Sequence, residues 1–278
     1  MSILKIAAFA DGDVGGNPAG VKIMNAFPDD AQMQSMAAEV GFSETVFAVQ
    51  KPDGAWRVRY FSPESEVPFC GHATIALGAA LAMEYGAGKF NLEINRGMIS
   101  VEGRRDGTGV AATLQSPPTH SEGLAAESVA ELLSLFSYAE SELDLRIPPA
   151  RIHGGADHFV FALKSRDALA RMQYDLNAGR QFMRQAGIAT VMLVFAESEQ
   201  RFHTRNPFAS GGVYEDPATG AATAAFAGYL RDLEWPHGGA IEIVQGEDMG
   251  MRSRLHAEIS AEAGASIRVS GRARLMLE

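Results

Sequence analysis

The sequence has little cysteine, few basic residues and no long apolar run. Cys70 is the single cysteine among 278 residues, so no internal disulfide can form, which is typical of a protein from a reducing cytoplasm. Lysine and arginine number 24 against 34 acidic residues, and the net charge of −10 argues against nucleic acid or an anionic membrane as partner. No apolar run approaches the roughly 18 residues of a membrane span. The N-terminus also lacks the pattern of a signal peptide, so we expect a soluble, cytoplasmic protein.

Motifs for nucleotide cofactors and metals are missing as well. There is no G-x-x-x-x-G-K-[ST] loop and no G-x-G-x-x-G loop after a strand, and the glycine-rich GGNPAG (15–20) lacks the phosphate-binding lysine. The seven histidines form no H-E-x-x-H or other chelating pair. His153 and His158, at the two ends of a glycine loop, are interpreted as structural. The sequence therefore predicts neither a cofactor nor a metal.

The chain contains an internal repeat. Residues 66–81 (EVPFCGHATIALGAAL) and 215–230 (EDPATGAATAAFAGYL) match at seven of sixteen positions, at an offset of 149. Chance similarity of two alanine-rich helices would explain the shared alanines but not the shared Glu, Pro and Gly before them. The repeat predicts two copies of one structural unit, residues 1–115 and 116–265, joined near 115–120, with 266–278 available to complete the first half.

Each copy reads as a loop that leads into a buried helix. The segments after the two glycines are apolar or small on nearly every face, and a helix of that kind has to be buried on all sides. Flanking segments have the composition of strands, among them 45–50, 56–61, 90–96, 190–196 and 266–277, and outer helices are predicted at 29–41, 127–136 and 177–187. The predicted fold is α+β, with two pseudo-symmetric halves, each a curved, mostly antiparallel sheet around a central helix.

The starts of the two buried helices are candidate anion sites. A helix N-terminus presents unpaired N–H groups and a partial positive charge, which favours a carboxylate. Gly71 and Gly220 would let a ligand approach the backbone closely, although glycine at these positions could instead serve tight helix packing. In a pseudo-twofold pair both starts would face a cleft between the halves. We expect a small carboxylate as ligand there.

The differences between the copies indicate where chemistry occurs. His72 aligns with Ala221 and Asp216 with Val67, so each half has a polar residue that the other lacks. GFSETVFA (41–48) resembles GIATVMLV (187–194), which offers no acid opposite Glu44. A carboxylate whose twin strand is apolar is suited to proton transfer near neutral pH. The alternatives stay open: Glu44 as a solvated residue, His72 as a hydrogen-bonded core residue, and Asp216 as a helix cap.

At this point the chain resembles a known family. It is similar to the PhzF family of phenazine-biosynthesis isomerases, which have the diaminopimelate epimerase fold. The resemblance runs through GGNPAGV (15–21), GFSETVF (41–47), RYFSPESEVPFCGHATIALG (59–78) and EDPATGAA (215–222). It implies a biosynthetic isomerase that works by acid/base chemistry without cofactor or metal, and a homodimer.

The resemblance also implies roles for particular residues. Glu44 corresponds to the family's general acid/base, and His72 and Asp216 to residues that line the substrate site. Substrate-binding positions are Asn17, Gly71, Ala73, Gly220 and Ala221. The family's second motif usually reads T-G-S-A, and Ala221 replaces that serine, which removes a side-chain donor worth on the order of 1 kcal/mol. This departure leaves the substrate open.

The sequence therefore predicts a cofactor-independent isomerase or epimerase of a small carboxylate. One alternative is a carboxylate-binding or interaction protein without turnover. Another is a racemase or dehydratase of the hydroxyproline type that uses Cys70 as one base. A two-thiol racemase is excluded, because Thr219 stands opposite Cys70 in the repeat.

Overall fold

The structure is a computed structural model that describes residues 2–95, 97–107 and 109–276. Its internal contacts divide the chain into two compact units, Met1–Gln115 with Ser270–Glu278, and Ser116–Val269. Each unit has its own set of paired strands and its own buried helix. No helix among the described residues is long and apolar enough to cross a membrane.

The first unit alternates antiparallel and parallel strand pairs. Its strands are β1 (Leu4–Ala8), β2 (Asn17–Met24), β3 (Thr45–Gln50), β4 (Trp56–Phe61), β5 (Glu66–Val67), β6 (Gly88–Ile94), β7 (Gly97–Asp106) and β8 (Gly109–Pro118), and its helices are α1 (Asp30–Val40) and α2 (Gly71–Tyr85). Pairs β1–β2, β3–β4 and β6–β7 are antiparallel, while β2–β3 and β4–β6 are parallel. The short β5 forms a hairpin with β4 and leads directly into α2.

The second unit repeats this order of pairing. Its elements are β9 (His120–Gly123), α3 (Ala126–Phe136), β10 (Ala150–His153), β11 (Asp157–Leu163), α4 (Arg166–Ala170), α5 (Leu176–Ala186), β12 (Thr190–Ala196), β13 (Arg201–Phe208), β14 (Val213–Asp216), α6 (Gly220–Asp232), β15 (Ala240–Gln245), β16 (Ser253–Glu258) and β17 (Ser266–Leu275), with 3-10 turns at Glu140–Glu142, Ala209–Gly211 and Glu247–Met249. Pairs β10–β11, β12–β13 and β15–β16 are antiparallel, while β11–β12 and β13–β15 are parallel. The predicted α+β fold of two related halves with mostly antiparallel sheets is confirmed.

Strand β17 starts in the second unit and ends in the first. The residues of β17 from Ser270 onwards belong to the first unit. They pair antiparallel with β1, with Ile6 opposite Leu275. The sheet of the first unit is therefore made from both ends of the chain.

The predicted elements match the structure best where the hydrophobic pattern is strong. The strands predicted at 45–50, 56–61 and 190–196 have those bounds. Arg96 and residue 277, at the predicted ends of two other strands, lie outside the described residues. The predicted strands do not include β1 or β2, and the glycine-rich GGNPAG overlaps the start of β2 at Asn17. The boundary between the two units lies at Gln115 and Ser116, within the predicted joint, and β8 continues across it to Pro118.

Matching caps extend the repeat to the outer helices. Asp29 caps α1 and Asp175 caps α5, each by accepting the backbone N–H three residues later. Both helices end at a glycine in the left-handed region, Gly41 with φ 71° and Gly187 with φ 65°. The same 146-residue spacing separates both pairs. The duplicated unit therefore begins well before the motif that reveals it.

Helix α2 is enclosed on all sides, as its composition requires. Every residue from His72 to Ala82 is buried. Strand β7 lies so close that a Cβ on Gly103 would overlap the carbonyl oxygen of Gly78, and a Cβ on Gly78 would come within 2.5 Å of a methyl group of Val101. Small residues on the helix allow this close approach and fix how it sits in its sheet.

A bidentate ion pair holds the hairpin before each central helix. In the first unit the Arg59 guanidinium donates to both carboxylate oxygens of Glu66, at 2.8 and 2.6 Å. These bonds hold the pKa of the Glu66 carboxyl below its usual range. In the second unit Arg205 donates to Glu215 at 3.0 and 2.5 Å, and this pair is more deeply buried, with 9% and 3% of the two side chains exposed. The shared Glu of the sequence repeat thus has a structural role in both copies.

We expect removal of one partner of the buried pair to destabilise the protein. Glu215→Gln leaves the Arg205 guanidinium buried without its countercharge and should lower the free energy of unfolding by about 3 kcal/mol. The matched change Glu66→Gln, in the more exposed pair, should cost about 1 kcal/mol. Urea denaturation of both variants measures the difference, and equal losses would contradict this explanation.

His158 is buried in the second sheet, as a structural histidine would be. It is 1% exposed, and its Nδ1 lies 2.8 Å from Thr190 Oγ1 on the neighbouring strand. Burial lowers the pKa of His158 to about 3. The folded protein therefore keeps this imidazole neutral at pH values where the unfolded chain protonates it.

This difference predicts a loss of stability in mild acid. The free energy that His158 contributes is fully present above the unfolded pKa of about 6.5 and falls as pH drops towards the folded value. Between pH 7 and pH 5 the wild type should lose about 2 kcal/mol more than His158→Gln. Urea denaturation at both pH values tests this, and parallel losses in the two proteins would contradict it.

Candidate active site

The start of α2 is fixed by a short chain of hydrogen bonds. Cys70, the N-cap residue, is extended (φ −142°, ψ 120°), and its side chain does not cap the helix. Its carbonyl oxygen accepts from the N–H of Thr74 at 3.0 Å and from the Thr74 hydroxyl at 2.7 Å. The Tyr60 hydroxyl lies 2.7 Å from the same Thr74 oxygen, and complete burial raises the pKa of Tyr60. A neutral, buried network therefore holds this helix start in place.

The backbone at this helix start is open to an approaching group. N–H groups in the first turn of a helix have no intrahelical acceptor. A Cβ built on Gly71 would meet no atom within 4 Å. Gly71 is therefore not needed for packing here, in contrast to Gly78 on the same helix. Of the two explanations for this glycine, close approach of a ligand fits the geometry better.

Glu44 lies at the end of the loop between α1 and β3. Its backbone carbonyl accepts the N–H of Gly20 on β2 at 3.1 Å, which fixes the residue directly before β3. The side chain is 16% exposed, and its Oε2 lies 3.4 Å from Nε2 of His72. The structure thus brings together the predicted acid and the predicted histidine, which are 28 positions apart in the sequence.

His72 connects the carboxylate to a thiol. Its ring is 8% exposed, and its Nδ1 lies 3.3 Å from Cys70 Sγ. Its Nε2 faces Glu44 and is also 3.5 Å from the Ser43 hydroxyl. A tautomer with the proton on Nε2 would donate towards the carboxylate and accept from the thiol at Nδ1. The imidazole is therefore positioned by groups on both of its nitrogens.

Asp216 lies in the second unit, at the corresponding helix start. It ends β14, and its Oδ2 accepts the Thr219 hydroxyl at 2.5 Å, where Thr219 is the N-cap residue of α6. The fully buried Gln245 donates to the backbone carbonyl of Asp216 at 2.7 Å and accepts the N–H of Thr219 at 3.1 Å. Asp216 is therefore part of an ordered turn in front of α6.

The remaining predicted positions also occupy element starts. Asn17 begins β2 opposite Ala8 and is 2% exposed. The Ala73 side chain is fully buried, so only its backbone amide could serve a ligand. Gly220 and Ala221 are the first two residues of α6, and both are partly exposed. Their roles in binding stay predictions.

The second unit holds no acid at the position of Glu44. When the arginines of the two ion pairs are superposed in strand register, Glu44 corresponds to Thr190 and His72 to Ala221. Thr190 is bonded to the buried, neutral His158. The Glu44–His72 pair therefore has no counterpart in the second copy of the repeat.

Several contributing residues were missed in the sequence. Ser43 and Tyr60 stand inside quoted motifs but had no repeat partner to draw attention to them. Gln245 has a signal in the sequence, because it follows the apolar pair Ile243 and Val244 and precedes Gly246, which has φ 73°. Donor atoms of Glu44, Cys70 and His72 lie within 4.8 Å of one another, but the thiol and the carboxylate face different nitrogens of the imidazole and do not converge on one metal position.

Comparison with known proteins places the chain among relatives of similar length. The family described as "Phenazine biosynthesis-like protein", PhzC-PhzF, matches residues 6–278. Trans-2,3-dihydro-3-hydroxyanthranilate isomerase of Pseudomonas aeruginosa is 32% identical over 272 residues, covering 96% of this chain and 94% of that protein.

Solved structures show the same fold. A PhzF-family phenazine biosynthesis protein from Bacillus anthracis has a TM-score of 0.86 at 21% identity, over 99% of this chain and 96% of the other. A predicted epimerase from Pseudomonas aeruginosa has a TM-score of 0.84 at 25% identity, over 99% of this chain and 96% of the other. The likeness thus extends over the whole chain.

The open space at Gly71 leads to a test by substitution. Gly71→Ala should leave the free energy of unfolding within about 0.5 kcal/mol of the wild type, because the added methyl group meets nothing. Gly78→Ala should cost about 1–3 kcal/mol, because its methyl group strikes Val101. Thermal and urea unfolding of both variants measure the difference. A Gly71→Ala variant as unstable as Gly78→Ala would mean that this glycine serves packing.

Proposed function

The chain belongs to the PhzC-PhzF family of phenazine biosynthesis-like proteins, and on that premise we propose that it moves a proton within a small carboxylate substrate, with Glu44 as the proton carrier. It is an isomerase, as its named relatives are. The observation that carries the proposal is the Glu44 carboxylate, 3.4 Å from His72 in a unit whose helix start is open at Gly71.

Glu44 would act first as a base and then as an acid. Its carboxylate takes a proton from a carbon next to an activating group of the substrate and becomes a carboxylic acid. After its acidic proton has exchanged with solvent, the carboxylic acid protonates another carbon of the substrate, which shifts the position of the substrate's double bond and restores the Glu44 carboxylate. General acid–base catalysis of this kind contributes about 10²- to 10⁴-fold to a rate.

His72 and the helix start would bind and stabilise the substrate. A proton on Nε2 of His72 faces Glu44 and can stabilise negative charge that develops on the substrate beside it. The N–H groups after Gly71, together with the positive end of the helix dipole, suit the substrate carboxylate. Asp216 and the start of α6 are predicted, on the family resemblance alone, to contact the substrate as well.

The substrate is proposed by class only. The relative from Pseudomonas aeruginosa is named as an isomerase of trans-2,3-dihydro-3-hydroxyanthranilate. Ala221 offers no hydroxyl where the resembled motif has a serine, so a substrate of this chain would bind without that donor. We propose a small carboxylate with an acidic C–H, handled in the cytoplasm, where the single buried thiol of Cys70 would stay reduced.

The role of Glu44 can be tested by hydrogen exchange. Incubation of candidate carboxylates with the enzyme in D₂O should place deuterium in the product, because Glu44 exchanges its proton with solvent between the two steps. Glu44→Gln should lower the isomerisation rate by about 10²-fold or more. Glu39→Gln, which changes an exposed glutamate on α1, should retain full activity.

Two outcomes would contradict the proposal. Full activity of Glu44→Gln would mean that another group carries the proton. If that activity were lost in Cys70→Ala, the thiol would be the base. Ligand-dependent thermal stabilisation without any deuterium incorporation would indicate a binding protein without turnover.

A further inference from the structure

The side-chain amide of Gln245 has only one possible orientation in the second unit. The residue is fully buried at the end of β15, beside the turn that precedes α6. Its Oε1 accepts the N–H of Thr219 at 3.1 Å, and its Nε2 donates to the backbone carbonyl oxygen of Asp216 at 2.7 Å. Because a backbone N–H only donates and a carbonyl oxygen only accepts, these two bonds fix which end of the amide carries the oxygen.

The orientation of that amide determines where the Thr219 hydroxyl points. Nε2 of Gln245 lies 3.0 Å from Thr219 Oγ1, and an amide nitrogen can only donate to it. The single hydroxyl proton is then available to Oδ2 of Asp216, which lies 2.5 Å from Thr219 Oγ1. A directed chain of hydrogen bonds therefore runs from Gln245 through Thr219 to Asp216. A bond donated to a carboxylate favours its ionised form.

This use of the hydroxyl is unusual for the first residue of a helix. A threonine N-cap commonly accepts the N–H two or three residues further on, and that bond stabilises a helix by about 1 kcal/mol. Thr219 is the N-cap residue of α6, and its side chain makes no such bond. Its hydroxyl donates to the Asp216 carboxylate instead. The start of α6 therefore lacks a stabilising bond that its N-cap residue could have made.

The backbone beside Gln245 leaves little room for another arrangement. Gly246 follows with φ 73°, and a Cβ on it would lie 2.8 Å from the carbonyl oxygen of Pro217 and 2.5 Å from that of Met251. A larger residue here would push the segment after β15 away from the turn before α6. Close backbone packing thus keeps Gln245 next to the turn that its amide orders.

We propose that Gln245 is a positioning residue for Asp216 and acts through Thr219. Its amide directs the Thr219 hydroxyl proton to Oδ2, which holds the Asp216 carboxylate in one orientation as an ionised hydrogen-bond acceptor. Asp216 would then accept a hydrogen bond from the substrate and would not donate one. This consequence for catalysis rests on the proposed function, in which Asp216 contacts the substrate.

Carboxyl ¹³C NMR of the full-length protein without substrate measures the protonation of Asp216, whose signal is identified by its loss in Asp216→Asn. Thr219→Val replaces the hydroxyl by a methyl group and should move the titration midpoint of this carboxyl to higher pH by about one unit. Thr219→Ser keeps the hydroxyl and should restore the wild-type midpoint. Thr223→Val, on the same helix, is the matched control, because the buried Thr223 hydroxyl has no hydrogen-bond partner among the described residues.

Gln245→Met tests whether the glutamine acts through the threonine. It removes the directing amide at similar side-chain size and should move the Asp216 midpoint to higher pH by about half a unit. In the double variant with Thr219→Val the midpoint should equal that of Thr219→Val alone, because the hydroxyl that Gln245 directs is already gone. Thermal unfolding verifies that each variant is folded.

Three results would overturn the inference: an unchanged midpoint in Thr219→Val or in Gln245→Met, shifts of these two variants that add in the double variant, or an equal shift in Thr223→Val. Substrate kinetics are measured separately. If Asp216 contacts the substrate, Thr219→Val should raise KM about threefold or more, and Thr219→Ser should restore it.

The two readouts separate this inference from the proposed function. A shifted midpoint with an unchanged KM would support the hydrogen-bond chain and remove Asp216 from the proposed substrate site. An unshifted midpoint in an active isomerase would overturn the role of Gln245 and leave the proposed function intact.

Discussion

Helix α2 carries small or apolar side chains on every face, so no side of it is stable against water. It is stable only where sheet surrounds it, and the close approach of Gly103 to Gly78 shows how little room remains. A helix held this way cannot slide or turn without steric overlap. Its first turn is therefore a fixed point, and the positions of Gly71 and His72 follow from core packing.

The β4–β5 hairpin, which precedes the first turn of α2, is held by side-chain bonds. The Arg59–Glu66 pair joins β4 to β5, and the bond from Tyr60 to Thr74 ties β4 to the first turn of the helix. These contacts involve groups that take no part in the proposed chemistry. They determine where His72 lies relative to Glu44, and a shift of either element would separate the two side chains.

The two units share the contacts that position the site, and they differ in the side chains at the site itself. Both units keep the capping aspartate, the closing glycine, the hairpin ion pair and the buried helix. They differ where reactive groups stand, with Glu44 and His72 in one copy and Thr190 and Ala221 in the other. Both units therefore keep the structural contacts, and only the first has the Glu44–His72 pair.

Much of this could be predicted from the sequence, because the repeat preserves residues with physical functions. The shared Glu, Pro and Gly before each central helix are visible in the sequence repeat. The absence of an acid opposite Glu44 is visible there as well. The partner of Glu215 was not, because the second hairpin is longer and Arg205 lies ten residues away rather than seven. The contact of Cys70 with His72 depends on the backbone angles of the N-cap residue Cys70. The pattern of residue types does not specify these angles.

Pairing of β1 with β17 has a consequence for how the protein is made. Strand β1 is translated about 260 residues before β17, the strand with which it pairs. Until β17 is translated, the edge of β1 that faces it has no partner, and an open strand edge invites pairing with other chains. Most of the second unit lies between these two strands in the sequence. It can therefore fold before β17 pairs with β1 in the first unit. A chain that lacks β17 would leave β1, in the unit that carries Glu44, without this partner strand.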